Sequence, residues 1–153
     1  LKDYNARSQL MWASALVTNR ILGRGKGAPW MAGPLSGIID EKAGLNYTTA
    51  IAITFPKYMM VCYKDHLSLF KQFAIQVMGV SQEGKTCLEV AYEGAAQLQA
   101  FFDDMGLAHC LRDMDMPFET YHEFQDEIDE VAKREVISKE DLQKIVQLSI
   151  GGQ

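Results

Sequence analysis

The chain has 153 residues and a formal net charge of −5, with 48% of its residues hydrophobic. That length suits one domain and that composition a packed core, which excludes a disordered segment, while the acidic balance argues against nucleic acid or an anionic membrane face as partner. No apolar run reaches the roughly 20 residues a spanning helix needs, and Cys62, Cys87 and Cys110 fit neither a disulfide framework nor a zinc motif, so a reducing cytoplasm is expected.

The first element is expected from Asp3 to Leu22. Asp3 or Asn5 can cap it, and Leu10, Ala13, Leu16, Val17 and Ile21 recur at helical spacing. Gly23, Gly25 and Gly27 follow, interleaved with Arg24 and Lys26. Such glycines can bring backbone N–H groups to an anion, but this pattern fits neither a P-loop nor the dinucleotide fingerprint. A helix C-cap and connector is the simpler reading. A weaker helix is expected over Trp30–Lys42, with Pro34 tolerable only in its first turn; Gly33 and Gly37 each cost a helix interior about 1 kcal/mol against Ala.

From Thr48 to Tyr63 the chain is strongly apolar, and its β-branched residues leave a strand open at this point. Leu67–Met78 reads as an amphipathic helix with Phe70, Phe73, Ala74 and Val77 inward and Gly79 as its stop. The clearest period in the chain is Leu88, Ala91, Ala95, Leu98, Phe102 and Met105, ending at Gly106. Two and a half heptads of this kind describe a core helix more simply than a coiled coil. Asp103 and Asp104 are expected to be solvated or to cap the turn.

The last third is more polar. His109 and Cys110 are adjacent, and neighbours on a helix do not face each other, so a thiolate–imidazole pair is not expected. Asp113, Asp115, Glu119 and His122 match no metal-cage spacing. Glu123, Asp126, Glu127, Asp129 and Glu130 read as a solvated face. Ser138-Lys139-Glu140-Asp141 is a capping box that opens a terminal helix through Leu142, Ile145, Val146 and Leu148.

One resemblance goes beyond these patterns. Met11-Trp12-Ala13 ahead of the glycine loop, then Trp30, Leu35, Gly44, Leu45, Ala52, Ile53 and Pro56 without gaps, resemble the C-terminal helical domain of the iron-containing alcohol dehydrogenases, in the butanol-dehydrogenase-like branch. The resemblance implies an all-α, multi-helix fold of the dehydroquinate synthase-like kind over residues 1–153, with Thr48–Tyr63 a buried helix kinked or restarted near Pro56. It also implies that complete family members interconvert alcohols and aldehydes using NAD(P) and a divalent metal, iron or zinc. The metal would act as Lewis acid on the substrate oxygen.

In that family pattern a metal-ligating His stands at the positions that here are Gly33 and Tyr47, and a second His at the position that here is Gly37. The resemblance also implies an earlier ligand-bearing helix and a nucleotide-binding domain upstream of Leu1. The expectation is therefore a C-terminal piece of a dehydrogenase homologue, inactive alone, with no catalytic, cofactor or metal residues on this chain. Its partner would be its own N-terminal nucleotide-binding domain, with a homodimer as a further expectation. Trp30 and Tyr47 are weak substrate-pocket candidates, and Arg24 and Lys26 border the same cleft. The alternative is a non-catalytic helical interaction domain derived from the family, with Leu88–Met105 as its partner face. A third reading keeps the complete protein catalytic without metal, with Tyr47 as proton donor.

Overall fold

The structure is a computed structural model that describes residues 2–19, 21, 32–116, 118, 121–134 and 137–151. Among these residues there are seven α-helices and no strand, so the apolar Thr48–Tyr63 stretch is helix.

α1 spans Tyr4–Thr18 and starts where the Asp3 carboxylate accepts the Ala6 N–H at 3.0 Å. It stops four residues short of the expected Leu22, because Asn19 closes it by donating both its backbone N–H and its side-chain amide to the Ala15 carbonyl. No residue of α1 is buried, and Leu10, Met11, Trp12 and Val17 are each more than half exposed. Its apolar positions therefore do not face the rest of the described chain.

α2 spans Ala32–Ala43, with Pro34 in its first turn, where the missing N–H costs nothing. Gly44, at φ +64°, turns the chain, and Asn46 caps α3, Tyr47–Cys62, by accepting the Thr49 N–H. α3 runs unbroken through Pro56, so it does not restart there.

α4, Leu67–Gln76, and α5, Cys87–Asp104, pack against each other. Thr86 and Glu89 build a reciprocal capping box at the start of α5. A 3-10 turn over Leu111–Met114 and another over Tyr121–Phe124 lead to α6, Gln125–Arg134. α7, Lys139–Ile150, is capped by Ser138 as expected from the capping box.

α3 is the centre of the fold and packs against α2, α5 and α7. Ile53 and Met59 from α3 meet Leu35, Ile39, Leu111, Phe124, Ile128, Leu142, Ile145 and Ile150 in one continuous core. Each such side chain contributes about 1.5–3 kcal/mol of burial. Three expected inward residues are instead exposed: Val77, Leu88 and Met105. Val77 lies beyond the last turn of α4, while Leu88 and Met105 lie at the two ends of α5, which extends past the neighbours that cover its middle.

The middle of α5 is covered closely. A Cβ on Gly94 would stand 2.4 Å from the Ala74 Cβ and 2.8 Å from its Cα, so the two helices cross backbone to backbone. The acidic run of α6 is only partly a solvated face. Glu127 pairs with Lys42 at 2.9 Å and Asp129 with Lys139 at 2.6 Å, which ties α6 to α2 and α7. The lysine beside Asp129 holds its carboxyl below the ordinary carboxylate range.

Candidate functional site

The frame that the family pattern singles out is the α2–α3 pair. Gly33 and Gly37 lie one turn apart on α2, both half-buried, and Tyr47 is the first residue of α3, 45% exposed. A Cβ at Gly37 would meet no atom within 4 Å, so glycine is not required there by packing.

The two helices are pinned inside the core. The Ser36 and Thr54 hydroxyls, both fully buried, lie 2.6 Å apart. Thr54 also donates to the Ala50 carbonyl at 3.0 Å. Trp30, Arg24, Lys26 and the glycines of that loop lie outside the described residues.

These residues do not fit a catalytic metal. Hydrogen at positions 33 and 37 offers no donor atom, and a neutral phenol at 47 is a poor ligand beside imidazole. Among the described residues no three His, Cys, Asp or Glu side chains converge on one point. His66 stands edge-on to the Phe70 ring, His109 binds Asp103, and His122 is on the second 3-10 turn, so the chain's imidazoles belong to separate elements.

Asp113 and Asp115, whose spacing matches no metal cage, shape a turn instead. Asp113 Oδ2 accepts the N–H groups of His109 and Cys110 at 2.9 and 3.0 Å, capping a turn. Asp115 takes the left-handed conformation that ends that turn, and Glu119 lies outside the described residues. His109 and Cys110 make no dyad, since the ring is engaged by Asp103 while the Cys110 thiol is buried.

One polar cluster escaped the sequence reading. Lys57 is 3% exposed and donates to Gln99 Oε1 and, at 2.7 Å, to the His109 carbonyl. Gln99 Nε2 donates to Asp103 Oδ1 at 2.8 Å, and His109 Nδ1 lies 3.0–3.1 Å from both Asp103 oxygens. Asp103 is therefore tied to two side chains rather than merely solvated. Burial pushes the Lys57 ammonium down to about 8, and the charges of Asp103, Cys110 and Asp113 offset this only in part. Partial burial raises Asp103, but the hydrogen bonds from His109 and Gln99 outweigh it and hold its carboxyl low. One signal could have revealed this cluster: Lys57 is the single charge within the otherwise apolar sequence of α3.

No profile of a known protein family matches the chain. It is 30% identical over 113 residues to NADH-dependent butanol dehydrogenase A of Clostridium acetobutylicum, a match covering 73% of this chain and 29% of that protein. It is 27% identical over 116 residues to the probable NADH-dependent butanol dehydrogenase 1 of Bacillus subtilis, covering 76% and 30%. Both matches fall in the C-terminal portion of the relative. The chain is a homologue of butanol dehydrogenases in the iron-containing alcohol dehydrogenase family.

It spans about 30% of the length of these curated relatives. The fold agrees with solved structures. NADH-dependent butanol dehydrogenase A of Thermotoga maritima superposes on 97% of the chain with a TM-score of 0.79 at 21% identity, using 40% of its own length. YqhD of Escherichia coli K-12 gives 0.84 at 18% identity, again over 97% of the chain and 39% of its own. The all-helical described part of the chain matches the C-terminal domains of these structures.

Proposed function

We propose that this chain is the C-terminal helical domain, over residues 1–153, of an NAD(P)-dependent alcohol dehydrogenase homologue whose catalytic metal site has been lost. The observation that carries the reading is the α2–α3 frame. The two helices are formed, α3 is capped by Asn46 and a buried hydroxyl contact joins them, while positions 33, 37 and 47 hold Gly, Gly and Tyr. A frame kept without ligands describes a domain that packs and positions but does not polarise a substrate oxygen.

In this reading the chain carries no catalytic, cofactor or metal residues. NAD(P) would bind an N-terminal domain of the longer protein, in the reducing cytoplasm that the cysteines suggest. The exposed apolar residues of α1 support a covering partner, since Leu10, Met11 and Trp12 are too large and too close together to be left to water at no cost. The N-terminal domain is the partner we assign, with a homodimer as a further possibility for the complete protein.

The test is NADH oxidation with butyraldehyde by the product of the complete coding sequence, with and without added Fe2+ or Zn2+. No metal-dependent turnover is expected. Metal-dependent turnover would overturn the reading, and turnover without metal that fell in Tyr47→Phe would favour Tyr47 as proton donor instead.

A further inference from the structure

The cluster around Lys57 lies outside the α2–α3 frame and has its own logic. Its hydrogen bonds run in one direction, from an ammonium that can only donate to a carboxylate that can only accept. Lys57 donates to Gln99 Oε1, Gln99 Nε2 to Asp103, and the His109 ring N–H to Asp103. The second Lys57 bond goes to the His109 carbonyl and closes the ring.

Both direct partners of Lys57 are neutral, so its charge is balanced one step away by Asp103 and Asp113. The same two carboxylates fasten the connection between α5 and the Leu111–Met114 turn. Asp103 holds the His109 ring, and Asp113 holds the His109 and Cys110 N–H groups. Of the other charged groups nearby, Arg112 is turned to the Gly151 carbonyl at 3.0 Å, and Asp141 of α7 acts on Cys62 instead.

We propose that the connection from Gly106 to Asp113 is an acid-released strap: protonation of Asp103 undoes its fastening to the His109 ring and removes the carboxylate charge that balances the buried Lys57 ammonium one step away, so the strap lifts before the helices unfold. The sign follows from the charges. A carboxylate held low in the folded state contributes stability above its ordinary range and loses it as pH falls through the folded value. Lys57 stays charged throughout that range, so its cost of burial rises as that balancing charge disappears.

The chain's three thiols report the event separately. Cys87 is exposed, Cys110 is a buried side chain of the strap itself, and Cys62 is buried in α3. Labelling with dithiodipyridine, which reacts in acid, is followed site by site by peptide mass spectrometry. Between about pH 6 and about pH 3 the rate at Cys110 relative to Cys87 is expected to rise at least about tenfold while Cys62 stays protected. Asp103→Asn should raise Cys110 labelling already at about pH 6, and Lys57→Met should blunt the acid rise.

Simultaneous exposure of Cys110 and Cys62 would overturn the proposal, as would a Lys57→Met profile equal to wild type. Should Lys57→Met fail to fold, seen as Cys62 labelling at about pH 6, Asp103→Asn decides alone. Wild-type protection of Cys110 in that variant would then sink the proposal.

Discussion

Gly94 and Gly37 are both helical glycines, and they are glycine for opposite physical reasons. At Gly94 the α4–α5 crossing leaves no room, since the missing Cβ would overlap Ala74 down to its backbone. At Gly37 on α2 the missing Cβ faces open space. The first is a packing requirement and the second a vacancy. A vacancy means something different from a small residue in a tight crossing, although both read as one letter in the sequence.

The sharpest way to break this comparison is to make the same substitution at both positions. Gly94→Ala should destabilise by about 3 kcal/mol in a denaturant titration, because α4 has to move bodily to admit the methyl. The double variant Gly94→Ala/Ala74→Gly should recover part of that loss, which would show that the clash is with Ala74. Gly94→Ala with unchanged stability would mean that the helices are not in backbone contact.

The next largest effect concerns the buried charge. Lys57 is held at about 8 against an ordinary value of 10.5, so between these values the unfolded chain binds more protons than the folded one. Lys57 should therefore make stability rise with pH across that window, by on the order of 2 kcal/mol, whereas burial pushes Cys62 and Tyr58 up to about 12 and makes stability fall above about pH 9. The Lys57 part is read as wild type minus Lys57→Met. A Lys57→Met profile parallel to wild type from pH 8 to 10.5 would mean that the ammonium is solvated.

Two smaller effects sharpen the vacancy side. Thr54→Val removes the buried hydroxyl contact between α2 and α3 and should cost about 1–2 kcal/mol in thermal unfolding. Gly37→Ala should do the reverse of Gly94→Ala and stabilise by about 0.5–1 kcal/mol, since it removes a helix-interior glycine at no steric cost. A loss at Gly37 would show that something covers α2 there.

What the sequence revealed follows from which interactions are local. Caps are local, so Asp3 and Ser138 were legible, and so was the stop at Gly79, whose φ of +72° an L side chain resists. The resemblance, not the periodicity, decided helix over strand for the apolar α3. Exposure is not local. The apolar spacing of α1 describes a helix with something to bury but does not say what covers it, and the period that marked Leu88 and Met105 did not show that α5 outruns its neighbours.

The polar ring was hidden for the same reason. Asp103 and Gln99 are one turn apart on α5, but their partners Lys57 and His109 come from a different helix and from beyond Gly106. Within the candidate site, the residue types at 33, 37 and 47 were legible, because absence of a donor atom is a property of the letter itself. The half-buried setting of Gly33 and Gly37 and the buried Ser36–Thr54 pin between their helix and α3 were not.

The central claim is that the α2–α3 frame persists without its metal. It is tested most directly by elemental analysis of the complete protein, purified after growth with iron and zinc and dialysed against a weak chelator. Iron and zinc well below one ion per chain are the expected result. Stoichiometric metal, lost when Tyr47 is changed to Phe, would contradict the account.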